Sequence, residues 1–83
     1  MSIDASIKNE KKVAGIKQAT KAVQRNQAKV VYVAKDAEPR LINTLTTLCD
    51  SKGVVVVEVD GQRELGRACG INTGAAAVAI HKT

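Results

Sequence analysis

Short apolar runs alternate with amphipathic stretches along this chain of 83 residues. Residues 30–34 and 54–57 are continuous β-prone runs, and residues 75–80 form a third, alanine-rich run. Runs of this length without polar interruption are typical of strands that are buried on both faces. Residues 11–14 add a candidate short strand. Strands that alternate with helices predict the α/β class, with helices on both faces of one sheet.

Amphipathic stretches between these runs predict the helices. Residues 39–51 carry apolar side chains at i, i+1, i+4, i+7 and i+8, which is the spacing of one helix face. Pro39 fits the first helical position, because an N–H there has no intrahelical partner in any case. Residues 16–25 form a second helix with an inner stripe of alanine and valine. Further helices are expected at residues 3–10 and 60–70.

Charge is distributed unevenly along the chain, whose formal net charge is +5. Residues 1–40 hold nine lysines and arginines against four aspartates and glutamates, whereas residues 41–83 are balanced. Such an excess in one half favours a polyanionic partner, although a solubility charge of this size is also common on small domains. Tyr32 is the only aromatic residue, which argues against RNA binding by stacking platforms and leaves basic, shape-reading modes open.

The length of the chain fits a single domain, residues 1–83. Its N-terminal residues are polar and charged, and no apolar run is long enough to span a membrane. A cytoplasmic location without a membrane partner is therefore expected. Cys49 and Cys69 are too few for a zinc site and occupy apolar positions of predicted helices, which favours buried thiols over a disulfide.

Catalytic chemistry finds little support in the sequence. His81, the only histidine, has no second histidine or cysteine at metal-ligand spacing and is interpreted as a surface residue. There is no Walker-type phosphate loop. Asp36 and Glu38 share a polar turn, but a carboxylate there more simply caps the helix that starts at Pro39. We therefore expect a protein that is not an enzyme, with no metal and no cofactor.

One stretch combines a helix start with positive charge. Gly15 stands where a helix begins, and Lys17 and Lys21 share one face of that helix because they are four residues apart. The first N–H groups of a helix are unpaired, and the helix dipole favours anions there. The stretch is a candidate reader of phosphates and base edges, although many glycine-led helix starts bind nothing. The turn at residues 35–39 and the loop at residues 72–74 are expected at the same edge of the sheet.

Three segments, in this order, resemble one known family: residues 15–21, residues 34–39, and residues 64–71 followed by the alanine-rich strand. Across about residues 11–80, the chain is similar to the kink-turn RNA-binding ribosomal proteins of the large-subunit L7Ae type, in particular to their short bacterial stand-alone members. The resemblance implies a three-layer α/β/α sandwich around a mixed sheet of about four strands.

The resemblance also implies a function. A kink turn is a sharply bent RNA duplex with tandem sheared G·A pairs and a flipped-out nucleotide. The chain is then expected to bind such RNA and stabilise its bent form, as a monomeric ribosomal or ribosome-associated protein with a place in translation. Its partner would be ribosomal RNA, a riboswitch or another folded RNA. A protein-interaction adaptor that keeps the fold without specific RNA binding is the alternative.

Residue roles in the predicted helix start follow from the same resemblance. Lys17 and Gln18 match the positions at which the family reads the G·A pairs with an asparagine and a glutamate. A lysine can donate to guanine O6 and N7, and a glutamine both donates and accepts, so the substituted pair keeps the capacity to read base edges. Lys21 matches a lysine that contacts phosphate.

The other two segments supply the remaining roles that the resemblance implies. Glu38 and Ile42 match the pocket around the flipped-out nucleotide, and Gln62 stands where many members have lysine. Residues 71–75 match a loop that packs on the bent backbone and the flipped base. The implied RNA-binding residues are Gly15, Lys17, Gln18, Lys21, Glu38, Ile42, Gln62, Ile71, Asn72, Thr73, Gly74 and Ala75.

Overall fold

Seven strands and helices alternate along residues 11–71 and 73–82, the part of the chain that the computed structural model describes. The strands are β1 (Lys12–Ala14), β2 (Ala28–Ala34), β3 (Val55–Val59) and β4 (Ala77–His81), and the helices are α1 (Ile16–Gln24), α2 (Pro39–Lys52) and α3 (Gln62–Ala68). Each strand and helix predicted within this part of the chain is present. The helix predicted at residues 3–10 lies outside the described residues.

The four strands form one mixed sheet in the order β1-β4-β2-β3. Strands β2 and β3 run parallel, with Tyr32 opposite Val57. Strand β4 lies between β1 and β2 and is antiparallel to both, with Ala79 opposite Val13 on one side and Val31 on the other. The predicted α/β class with a mixed four-stranded sheet is therefore confirmed.

Helices cover both faces of the sheet. Successive strand residues point to opposite sides, so the apolar strands present side chains that must be buried on each face. Along β4, Ala77 and Ala79 pack with α1 and α2 in a cluster that we call the α1/α2 core. Val78 and Ile80 point the other way and pack with Leu65 of α3 in the α3 core. The predicted α/β/α layers are thus α1 with α2, the sheet, and α3.

Strand boundaries differ from the predicted runs in β2, β3 and β4, and β2 begins at Ala28, two residues before its run. A strand is expected over residues 75–80, but β4 begins two residues later. The N–H of Ala75 donates to the carbonyl of Gln62 at 3.0 Å and so belongs to a loop rather than to the sheet. Strand β3 continues beyond its predicted run of valines to Val59, because Val59 pairs with Ala34 of β2.

The two cysteines are buried free thiols, as the sequence predicts. Cys49 lies in the α1/α2 core and Cys69 in the α3 core, so the sheet separates them. Burial raises the pKa of both thiols, and the nearby positive charge of Lys12 offsets part of this effect on the pKa of Cys69.

We expect both cysteines to resist thiol reagents while the protein is folded. The thiolate is the reactive form, and burial both blocks access and holds each pKa above its ordinary value. With Ellman's reagent at about pH 8, rapid labelling should require guanidinium denaturation. The variant Cys69→Ala assigns the remaining signal to Cys49. Fast labelling of the native protein would contradict this expectation.

Candidate nucleic-acid interface

The chain passes from β1 into α1 through Gly15, which holds the start of the helix against the sheet. Its backbone has φ +106°, a conformation that residues with a Cβ rarely adopt. The N–H of Gly15 donates to the carbonyl of Ala77 at 2.7 Å, and its own carbonyl accepts the N–H of Ala19 at 2.9 Å. The predicted glycine helix start is therefore present, and it is fixed to the first residue of β4.

The first turn of α1 is open to solvent. No side chain caps the helix, and no acidic residue lies in its first turn. Lys17, Gln18 and Lys21 are exposed, whereas Ala19 and Ala22 beneath them are buried. Because the first N–H groups lack intrahelical partners and the dipole is positive there, this end of α1 favours an anion. Lys17 and Lys21 lie about 6 Å apart along the helix axis.

The turn between β2 and α2 carries two carboxylates with different surroundings. Glu38 stands at the N-cap position of α2, but its side chain forms no cap hydrogen bond, and its backbone carbonyl accepts the N–H of Ile42 at 3.1 Å. The carboxylate of Asp36 accepts the N–H of Gln62, the first residue of α3, at 2.9 Å. The expectation that one of these carboxylates caps α2 is therefore wrong. Glu38 stays exposed, and Asp36 is engaged by α3 instead.

Gln62 connects this turn to the segment between α3 and β4 (residues 69–76), which we call the α3–β4 loop. Its N–H donates to Asp36, and its carbonyl accepts the N–H of Ala75. Gly74 packs on the same peptide unit, since a Cβ there would lie 3.2 Å from the carbonyl oxygen of Gln62. One backbone position thus holds the turn, α3 and the loop together. Sequence reasoning missed the role of Asp36, because its partner lies 26 residues away and no local pattern marks it.

Gly66 brings the α3–β4 loop against α3. It is buried, and a Cβ at this position would overlap the carbonyl oxygen of Thr73. The chain leaves α3 through Gly70, which has φ +77°, and the N–H of Ile71 donates back to the carbonyl of Gly66 at 2.8 Å. The spacing of Gly66 and Gly70 therefore marks tight packing followed by a helix end.

The remaining predicted residues differ in exposure. Ile42 is half-buried and packs against both the α1/α2 core and the α3 core. Ile71 is half-buried against the α3 core, whereas Thr73 and Gly74 are exposed. Ala75 is only 5% exposed and belongs to the α3 core.

Backbone hydrogen bonds gather these segments at one end of the sheet. Gly15 is bonded to Ala77, and beside it the N–H of Ala34 donates to the carbonyl of Ala76 at 2.9 Å. The start of α1, the turn before α2, the start of α3 and the α3–β4 loop therefore meet where β1, β2 and β3 finish and β4 begins. The common edge expected from the sequence is present. Asn72 lies outside the described residues.

Other chemistry is sparse in residues 11–71 and 73–82. Within this part of the chain, no group of three or more histidines, cysteines, aspartates and glutamates is placed to hold a metal ion. None of its helices combines the length and apolar character that a membrane span requires.

His81 is not the surface residue that the sequence predicts. It pairs with Ala28 of β2, and its Nε2 atom is buried without a hydrogen-bond partner among the described residues.

Comparison with protein families gives a match over nearly the whole chain. Residues 2–83 match the model of the ribosomal protein L7Ae/L30e/S12e/Gadd45 family. An RNA-binding protein of Bacillus pumilus is 46% identical over 80 residues, which cover 96% of this chain and 98% of that protein. The RNA-binding protein YbxF of Geobacillus stearothermophilus is 40% identical over 80 residues, with the same coverage of both chains.

Solved structures share the fold. The Giardia lamblia 15.5kD RNA binding protein superposes with a TM-score of 0.82 at 32% identity, covering 95% of this chain. The present chain spans 65% of the length of that protein. A protein with unknown function from Bacillus halodurans superposes with a TM-score of 0.81 at 26% identity, covering 95% of this chain and 78% of the other.

The sequence comparisons and the structural comparisons point to the same family of proteins. The family match and the relatives named as RNA-binding proteins identify a binding protein rather than an enzyme. The alternating order of strands and helices, the glycine-led start of α1 and the tightly packed α3–β4 loop all lie within the matched residues. The chain therefore belongs to the ribosomal protein L7Ae/L30e/S12e/Gadd45 family.

Proposed function

We propose that the protein binds kink-turn RNA and holds it in its bent form. The observation that carries the proposal is the meeting of three exposed features at one end of the sheet. These are the uncapped start of α1 with Lys17 and, one turn later, Lys21; the turn that carries Glu38; and the α3–β4 loop. Family membership and relatives named as RNA-binding proteins support RNA as the ligand.

The start of α1 supplies the groups that read the RNA in this proposal. The ammonium group of Lys17 donates to O6 and N7 of a guanine in the sheared G·A pairs. The amide of Gln18 donates to one base edge and accepts from the next. Lys21, one turn further along α1, neutralises a phosphate. The unpaired N–H groups at the helix start strengthen the attraction for the backbone anion.

The turn and the loop enclose the flipped-out nucleotide in the same proposal. The exposed part of Ile42 offers an apolar surface to the base, and the carboxylate of Glu38 accepts from a base N–H. Thr73 and Gly74 are small and exposed, so the RNA backbone approaches the loop closely. The side chains of Ile71 and Ala75 pack in the α3 core and so support this loop. Asn72 is included among the proposed RNA-binding residues because it lies between Ile71 and Thr73 in the sequence.

Binding acts on an equilibrium that the RNA already has. A protein that binds only the bent form shifts the population towards it, by an amount set by its differential affinity. We propose that the partner is ribosomal RNA, a riboswitch or another folded RNA in the cytoplasm. In each case the protein acts as a monomer that stabilises RNA structure, as a ribosome-associated protein would in translation.

Two RNA duplexes test this function. One contains a kink turn, and in the other both sheared G·A pairs are replaced by Watson–Crick pairs. We expect the protein to bind the first at least about tenfold more tightly in a gel shift, since each base-edge contact contributes roughly 1–3 kcal/mol of discrimination. Equal affinity for the two duplexes would sink the kink-turn assignment. Protein partners that survive RNase treatment in a pull-down would then favour an adaptor.

A further inference from the structure

The outer face of α3 carries two arginines beside the candidate interface. Arg63 and Arg67 are both exposed, and their spacing of four residues puts them on one face of the helix. Residues 41–83 have no net charge, so the sequence gives no sign of a basic surface there. The fold separates their four cations: these two arginines lie on α3, whereas Lys52 and Lys82 lie at the opposite end of the sheet.

Two open grooves border this face of α3, and they differ in charge. The first is lined by Arg63, Arg67, Gly70, Ile71 and Thr73, and no described residue that lines it is acidic. The second is also lined by both arginines, but it includes Asp60 and Glu64. An anion is therefore attracted to the first groove, because carboxylates in the second offset the charge of the arginines.

The first groove is continuous with the proposed RNA surface. Ile71 and Thr73 line the groove and also belong to the α3–β4 loop that faces the RNA in the proposed function. A strand that packs on Thr73 and continues along this groove therefore meets the two guanidinium groups. Arginine suits this position because its planar fork donates two parallel hydrogen bonds to one phosphate.

We propose that this groove binds phosphates of the RNA strand that leaves the bend, with Arg63 and Arg67 as the groups that contact them. The inference rests on the proposed RNA-binding function and extends its footprint from α1 across the end of the sheet to α3. It adds two cationic contacts to the RNA backbone. Neither contact reads a base, so they raise affinity and fix the direction of the strand without adding sequence preference.

The double variant Arg63→Gln/Arg67→Gln tests the inference on the kink-turn duplex. Glutamine keeps the helix propensity and most of the side-chain length while it removes both charges. We expect affinity to fall by at least about tenfold at moderate salt, because two solvent-exposed arginine–phosphate contacts are lost. The slope of log affinity against log salt should become shallower by about 1.4–1.8, or 0.7–0.9 for each lost phosphate contact.

The matched control is Lys52→Gln/Lys82→Gln, which removes the same net charge from the opposite end of the sheet. Both lysines are exposed, and circular dichroism should show both double variants folded. If the arginine variant binds like the lysine control, the groove is not an RNA contact. If the wild-type protein binds neither duplex, or binds both equally, the proposed function itself fails. A wild-type preference for the kink-turn duplex, together with a selective loss of affinity in the arginine variant, supports both the proposed function and the groove contact.

Discussion

Replacing Gly66 with alanine is expected to lower the free energy of unfolding by about 2–3 kcal/mol, although alanine is the better helix former. The added methyl group would overlap the carbonyl oxygen of Thr73, a backbone atom that cannot rotate away. Either α3 or the α3–β4 loop must move. For a domain of this size the melting temperature should fall by about 10–20 °C in a circular-dichroism melt.

Gly61→Ala is the matched control for this experiment. Gly61 has φ −154°, an extended conformation open to any residue, and the nearest atom to an added Cβ is an Asp36 carboxylate oxygen at 3.4 Å. Its stability should stay within about 0.5 kcal/mol of wild type. A Gly66→Ala protein as stable as this control would mean that the loop is not held against α3 as described. Displacement of Thr73 should also weaken RNA binding in the Gly66 variant.

The second large effect is expected from Lys17→Gln/Lys21→Gln, which should weaken binding to the kink-turn duplex by about a hundredfold. Lys17 contributes a base-edge contact and Lys21 a phosphate contact in the proposed complex. Both side chains are exposed and both lie on the outer face of α1, so the fold should be retained. Titration by fluorescence anisotropy at several salt concentrations measures the affinity and its salt dependence together.

The two lysines should affect different quantities when they are changed singly. Lys21→Gln should make the salt slope shallower by about 0.7–0.9 and weaken both duplexes alike. Lys17→Gln should instead reduce the preference for the kink turn over the Watson–Crick duplex. The control Lys52→Gln/Lys82→Gln matches the charge lost in the double variant, and Lys52→Gln alone matches the charge lost in each single variant. A preference unchanged by Lys17→Gln would remove this lysine from the base-reading role.

The order of the strands and helices could be predicted from local sequence patterns, because the residues of each element mark it. The apolar spacing of residues 39–51 and the proline at position 39 predict α2, which begins at Pro39. Gly15 likewise marks the start of α1 in the sequence. The start of β4 is not marked in this way, since alanine has no strong preference for a strand, and the boundary is decided by the bond from Ala75 to Gln62.

The candidate site could be predicted only in part from the sequence, because some of its contacts join segments that are distant along the chain. Exposed cations at a helix start can be read from spacing, and the three segments follow each other in the order of a known family. Contacts between distant segments leave no local trace. The bond from Gln62 to Asp36 joins residues 26 positions apart, and the arginine groove lies in the half of the chain whose charges cancel, so neither is visible in the sequence.

The junction formed by Asp36, Gln62 and Ala75 affects how recognition can change over time. It joins the segments mainly through main-chain atoms, so most substitutions at neighbouring exposed positions leave it intact. Lys17, Gln18 and Glu38 project from that frame without supporting it. If the proposed complex is correct, mutations there should alter which RNA is preferred at little cost to folding. In the proposed complex, specificity could then change without loss of stability, and designed variants with altered targets should begin at those three positions.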